Sequence, residues 1–487
     1  MKYTAEAFDQ MQQLWGVKRF NDHQLRCVLR FEHRLDAKSL SRAVNASIRA
    51  FPILATRYIC GRRPHWTTLD TGDLRRALVV ARDETEFEGF VASKVDESIG
   101  PQVRVCLLNS APFSIALKMN HMVCDAADFK AYIYFLGDMY TGVTPDPCYG
   151  LGESIEDRSV RRVLKCFSLG VRVKSLLLES NQNNHSGGSR FPLSGSHETR
   201  PFVLTRKLGR GRTATIMRYG KAKGATLNDV LLTAFYRSLF RRLNLSPGTM
   251  LRIPVMVDMR RYLPETCDVL PLSNLTSTVS TELNCKSGER FEDTLGRVKS
   301  VMDQRKRSNP GLNGFIKLDR AYRILGRTIA NRLLMAKMNH PLISMTNMGA
   351  LDSHRMSFGD QHPCDAFFSG SIKYQPYFQL SVSSYGGELT LGVNVLGSNS
   401  DRDCILSFFD EIEAELPGWD LVRLPVFQVY PDQKRKSRQC ETSHIPMDST
   451  GGKDDSIHYR AAHGSVVGED HTPRLKNSRL SKASFMR

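Results

Sequence analysis

The chain has 487 residues, too many for one compact core and enough for two domains of ordinary size. Hydrophobic residues make up 41% and charged residues 24%, an ordinary balance for a soluble globular protein. No run of about 18 apolar residues occurs, which argues against a transmembrane helix.

Met1 to Gln10 contains Glu6 and Asp9 and lacks an apolar h-region, which argues against a secretory signal. The 11 cysteines are scattered without a Cys-x-x-Cys pair. Reduced thiols in a cytoplasmic protein are expected, with neither a disulfide frame nor a bound metal. The formal net charge of +18 attracts anions: nucleic acid, acidic membrane, phosphorylated cofactors or an acidic carrier protein. No helix-turn-helix, zinc-finger or RNP-like pattern accompanies that charge, so a nucleic-acid partner is not expected.

In chain order, Gln24 to Glu32 largely alternates apolar and polar residues and predicts a strand. Asp36 is a suitable N-cap for a helix carrying Leu40, Ala43, Val44 and Ile48, which Pro52 stops. Ile53 to Ile59 reads as a further strand. Val103 to Leu108 and Phe113 to His121 predict a hairpin. In its second arm Phe113, Ile115, Leu117, Met119 and His121 have the same parity and share one face. A helix from about Ala126 to Tyr140 follows, with Tyr132, Ile133, Leu136 and Tyr140 as its apolar stripe.

Residues 141–200 read as a connection: Gly and Pro punctuation over 141–152, a basic helix over 156–179 and a loop over 181–190. Order resumes near Phe202. Helices are predicted over Thr226 to Arg242, with Thr226 as N-cap, and over Phe291 to Lys306, Phe315 to Asn339 and Ile405 to Leu416. Strands are predicted over Leu251 to Val257, Leu275 to Leu283, Ile343 to Met348, Phe378 to Tyr385 and Glu388 to Val395. Gly386-Gly387 joins the last two as a hairpin. From about Pro431 the composition turns polar and predicts a disordered tail. The resulting domain expectation is a first lobe over 1–150, a crossover linker over 151–200, a second lobe over 201–430 and a tail over 431–487.

The chemistry-bearing pair is His121 and Asp125. A neutral imidazole takes a proton from an alcohol, amine or thiol near neutral pH. A carboxylate four residues on either fixes the ring or holds its loop. An ordinary strand-end histidine followed by a helix N-cap fits the spacing equally.

The segment MNHMVCDAADF resembles the HxxxD motif of the CoA-dependent acyltransferase superfamily. That group includes chloramphenicol acetyltransferase, alcohol acetyltransferases and peptide-synthetase condensation domains. Residues 31–58, 254–264 (PVMVDMRRYLP), 344–351 (SMTNMGAL) and 381–395 resemble further elements of that family, in its order, over roughly 20–425. Ala126 stands where many relatives have glycine, and Asn120 where condensation domains carry a second histidine. The DFGWG element of plant BAHD acyltransferases is absent. These departures point to an alcohol-acetyltransferase-like branch.

The resemblance implies an α/β fold of two similar lobes, each a mixed open sheet with packed helices, with a tunnel between them. It implies that His121 is the general base for direct acyl transfer from an acyl-CoA or carrier-protein phosphopantetheine thioester to an alcohol, amine or lipid acceptor. No permanently bound cofactor is implied. Asp125 is then an orienting residue with Arg260 as its candidate partner, a solvated turn arginine being the alternative. Asn347 is a candidate for placing the thioester or oxyanion, a plain turn asparagine being the alternative. Cys124 is expected to pack and not to act as a nucleophile. The basic, amphipathic stretch 315–337 suits either a domain helix with an exposed basic side or contact with an acidic membrane surface. Two further readings stand beside the acyl-CoA enzyme: a condensation-type enzyme with carrier-bound substrates supplied in trans, and a non-catalytic binding relative.

Overall fold

The structure is a computed structural model that describes residues 1–143, 158–178, 188–195, 198–264, 272–307, 309–337, 342–418 and 426–428. The expected tail over 431–487 lies outside the described residues, as do most of the loop over 181–190 and parts of the linker over 151–200.

Strands Gln24–Arg30 and Ser114–Asn120 pair antiparallel, Gln24 opposite Asn120 and Arg30 opposite Ser114. Val103–Leu108 completes the expected hairpin, and Leu78–Ala81 lies parallel to it at one edge. Every residue of Ser114–Asn120 is buried, because both faces of the sheet are covered. Ile115, Leu117 and Met119 face a core shared with helices Ala37–Ala50 and Ala126–Thr141, and Phe113 packs against it. Ala116 faces the opposite way, towards Phe87 and Val91 of helix Glu84–Ala92.

The other edge of this five-stranded sheet comes from far along the chain. Strand Asp365–Ser369 pairs antiparallel with Gln24–Arg30, Phe367 opposite Val28. The second large sheet has the order Thr276–Asn284, Met250–Asp258, Ile343–Leu351, Phe378–Tyr385, Glu388–Gly397, Arg200–Leu208 and Val426–Gln428. Strand Ile343–Leu351 pairs parallel with both its neighbours, Met250–Asp258 and Phe378–Tyr385, and the remaining pairings are antiparallel, so this sheet is mixed. A small third sheet joins Lys2–Thr4, His65–Thr68 and Thr56–Ile59.

Local signals explain most element ends. Asp36 accepts a hydrogen bond from Ser39 N at 2.6 Å, and Thr226 forms a capping box with Asp229. Gly386 and Gly387 both take positive φ, +55° and +82°, which suits the tight turn between two twisted strands.

Four expectations change. The strand over 53–59 begins only at Thr56, because Pro52–Ala55 winds into a 3-10 turn whose first position suits the fixed φ of proline. The helix over 315–339 is two helices, Leu312–Ile324 and Gly326–Lys337, separated where Gly326 takes φ +69°. The helix over 156–179 is likewise two, Arg161–Lys165 and Leu169–Leu178. The last helix starts earlier, at Asn399, where Ser398 and Asp401 form a capping box. Helices Ala7–Val17, Glu84–Ala92 and Arg210–Ala222 were not anticipated. Among the described residues no helix is long and apolar enough to cross a membrane.

Candidate active site

Strand Ser114–Asn120 ends in a tight turn that carries His121 and runs into helix Ala126–Thr141. The turn is fastened from several sides. Asn120 is fully buried; its Oδ1 accepts from Met122 N at 2.9 Å, and its Nδ2 donates to Gln102 at 2.8 Å. His121 N donates to His23 O at 2.8 Å, which ties the turn to the neighbouring strand. Arg158 is buried and donates to the carbonyls of Met122, Val123 and Leu272 while forming a two-pronged ion pair with buried Asp9. Asn120, which stands where condensation domains have a second histidine, therefore has a structural use here.

The hydrogen bonds fix the His121 tautomer. Nδ1 lies 2.8 Å from Cys124 O and 3.1 Å from Asn274 Oδ1. The Asn274 amide has a defined sense, because its Nδ2 donates to the carbonyls of His121 at 2.8 Å and Met122 at 3.0 Å. Both neighbours of Nδ1 are thus acceptors, so Nδ1 carries the proton and the lone pair sits on Nε2. Nε2 has no hydrogen-bond partner among the described residues, and it is not one of the sealed polar atoms. The residue as a whole keeps partial solvent exposure while burial lowers its pKa.

Lys373 adds to that field. Its backbone bridges Asn21 and Val395, and the Asp22 carboxylate acts on its ammonium. Burial pulls its pKa down to about 8, and its positive charge further disfavours protonation of His121. Phe8 flanks the imidazole with ring centroids 6.3 Å apart.

Asp125 does not touch the ring. Its Oδ1 caps the helix, accepting from Ala127 N at 3.1 Å and Asp128 N at 3.3 Å. Its Oδ2 accepts from Arg260 Nη1 at 2.8 Å, Leu275 N at 2.8 Å and Thr276 Oγ1 at 3.0 Å. Both sequence readings of this carboxylate, cap and arginine partner, therefore hold at once. Arg260 also pairs with Asp128 at 2.8 Å and Asp258 at 3.2 Å. Burial would raise the Asp125 carboxyl, but the guanidinium and the amide donors hold it below its usual value. Asp128 takes the opposite course: burial, with the Asp125 charge beside it, pushes it up to about 7.

The structure brings His121, Asp125 and Arg260 into one network but does not bring Asn347 to it. Asn347 sits on strand Ile343–Leu351, where its Oδ1 accepts from Gly349 N at 2.9 Å beside a register shift. Cys124 is fully buried, its Sγ 3.0 Å from Met119 Sδ, and burial pushes its thiol well up, which suits packing. Sequence reasoning missed Asn274, Asp128, Arg158 and Lys373. Among the described residues no cluster of His, Cys, Asp and Glu is arranged to hold a metal.

No protein-family model matches the chain, and no curated protein matches it in sequence. Solved structures do match in shape. The first condensation domain of the calcium-dependent antibiotic synthetase superposes with a TM-score of 0.61 at 14% identity, over 86% of this chain and 97% of that one. A trichothecene 15-O-acetyltransferase from Fusarium sporotrichioides gives 0.60 at 12%, over 85% and 96%. Polyketide synthase associated protein 5 from Mycobacterium tuberculosis gives 0.58 at 15%, over 85% and 96%.

The chain shares its fold with these condensation-domain and acetyltransferase structures.

The site lies where the two halves of the sequence meet. His121, Asp125 and Asp128 come from the first half; Arg260 and the 273–276 segment come from the second. The two are stitched by backbone as well as side chains, with Asp125 N donating to Ser273 O at 3.1 Å and Ser273 N to Asp128 Oδ2 at 2.6 Å. The arrangement supplies one thing chemically: a neutral imidazole whose free nitrogen can accept a proton.

Proposed function

We propose that the protein is an acyltransferase that moves an acyl group from a pantetheine thioester directly to a hydroxyl or amine, with His121 as general base. The observation that carries this reading is the Nδ1–H tautomer of His121, which leaves Nε2 unpartnered and open to solvent. Nε2 takes the acceptor proton as the acceptor oxygen or nitrogen bonds to the thioester carbonyl carbon. The carbonyl becomes a tetrahedral oxyanion. It collapses by breaking the carbon–sulfur bond, and the departing thiolate takes the proton back from Nε2. No acyl-enzyme is required, in keeping with the inert Cys124.

Asp125 and Arg260 act as positioning residues: they hold the start of helix Ala126–Thr141 and the 273–276 segment, and so hold Asn274 against the ring. The Lys373 ammonium favours the neutral imidazole and any negative charge developing beside it. CoA and a carrier protein present the same pantetheine arm. Likeness in fold to a condensation domain and to an acetyltransferase supports a thioester donor of either kind. The likeness to a trichothecene 15-O-acetyltransferase supports an alcohol acceptor.

The test is incubation of the full chain with a panel of acyl-CoA esters and alcohol or amine acceptors while free thiol is monitored. Acceptor-dependent thiol release is expected from the wild type and not from His121→Ala. If neither acyl-CoA nor acyl-carrier protein releases thiol with any acceptor class, the enzymatic reading fails and a non-catalytic binding relative takes its place.

A further inference from the structure

Helices in a globular protein normally turn their apolar stripe inward. Two helices here do the reverse. On Leu169–Leu178 the residues Leu169, Val173 and Leu177, spaced by four, are 69%, 43% and 67% exposed. On Gly326–Lys337 the residues Ile329 and Leu333 are 51% and 37% exposed, and at the break before it Leu325 is 42% and Ile324 66% exposed. Leu169–Leu178 packs against Leu312–Ile324, which leads directly into Gly326–Lys337, so the stripes lie on adjoining helices.

The charged residues of these helices are almost all basic. Leu169–Leu178 carries Arg172 and Lys174; Leu312–Ile324 carries Lys317, Arg320 and Arg323; Gly326–Lys337 carries Arg327 and Arg332. The single carboxylate in the three helices, Asp319, is buried and neutralised by Arg161 at 3.0 Å and Arg323 at 3.6 Å. Exposed aliphatic side chains on helices that also expose Lys174, Lys317, Arg320 and Arg332 fit the interface of a bilayer whose headgroups are anionic. A protein partner of acidic character would satisfy the cations but would need its own apolar ridge to cover two separate stripes.

We propose that the outward faces of these three helices form a surface that lies on an anionic membrane. Beneath them Leu318, Tyr322 and Ala330 pack against Phe8, whose ring flanks His121. The docked face is therefore one helix layer from the candidate base, a placement suited to a substrate with an apolar chain. The membrane contact itself does not rest on the acyl-transfer reading.

The experiment is co-sedimentation of the full chain with vesicles of phosphatidylcholine alone and with vesicles containing phosphatidylserine, at low and high salt. Binding to the anionic vesicles, weakened by salt, is expected. Leu169→Ser/Val173→Ser and Ile329→Ser/Leu333→Ser variants should bind at least about tenfold more weakly at unchanged melting temperature. The charge variant Lys174→Glu/Arg332→Glu should do the same and guards against misfolding of the others. The proposal is overturned if the wild type ignores anionic vesicles, or if all three variants bind like the wild type. It is overturned as well if the serine variants instead dissociate a dimer, or abolish capture of an acidic carrier protein, while vesicle binding is absent.

Discussion

Whether an imidazole works as a base depends on which nitrogen holds the proton, and at His121 the carbonyl of Cys124 and a remote asparagine both hold it on Nδ1. Asn274→Ala removes the acceptor opposite Nδ1 and the donor that pins the turn. It is expected to lower kcat by about tenfold or more with KM little changed, because the ring loses alignment and the acceptor site does not; an unchanged kcat would remove Asn274 from the account. The pH dependence follows from the depressed His121 pKa. The neutral form persists below the ordinary histidine value of 6.5, so kcat/KM should stay level through that pH and fall only further into acid. Lys373→Met deletes a nearby positive charge and should move that acid limb to higher pH, measured on the same substrate. An unmoved limb would show that the lysine does not act on the ring. His121 and Asp125 were legible in the sequence because a strand-end histidine and a helix cap both have local signatures. Asn274 and Lys373 were not, since each reaches the ring from more than 150 positions along the chain and nothing in its own neighbourhood announces it.

At the scale of elements, the start of helix Ala126–Thr141 is held by a largely buried charge network. Asp125 is 1% exposed and its partner Arg260 serves three carboxylates. Arg260→Ala strands buried charge and is expected to cost about 3–5 kcal/mol of stability, read from denaturant unfolding. Loss of only a few tenths would mean that the carboxylates find water instead. The signs with pH differ within the network. The folded-state pKa of Asp125 is depressed, so its contribution is present above the ordinary carboxylate range and lost as pH falls through its lower folded value. That of Asp128 is raised to about 7, so its contribution is present in acid and lost as pH rises through neutrality. Caps and hairpins were readable from Asp36, Thr226 and Gly386-Gly387, whose chemistry is local. The break at Gly326 was not, because an isolated glycine inside a helical pattern is tolerated as often as it ends one. Helix Ala7–Val17 was missed for another reason: Asp9, Gln12 and Gln13 are buried on it, so its inward face is not the apolar stripe that periodicity detects.

Across the whole molecule, the strand that matters most for domain logic is Asp365–Ser369. It comes from the second half of the sequence yet closes the edge of the first sheet, and Phe367 and Phe368 are buried there. A fragment of residues 1–150 would leave the Gln24–Arg30 edge and its apolar faces without cover. It is expected to lack a cooperative unfolding transition by circular dichroism; a sharp transition would show that the first lobe folds alone. Strand Val426–Gln428 pairs with Leu204–Arg206, so a truncation that spares it, ending after residue 430, should keep activity, whereas one that removes it exposes a sheet edge. The α/β class and the order of most elements could be read from periodicity. The strand exchanged between halves could not, because five residues of DAFFS carry no sign of which sheet they join.

The most direct measurement is turnover of the best acyl-thioester and acceptor pair by purified His121→Ala beside the wild type, with melting temperature recorded for both. A loss of at least about 100-fold in kcat/KM at an unchanged melting temperature is the expected result. Wild-type turnover by the alanine protein would contradict the account.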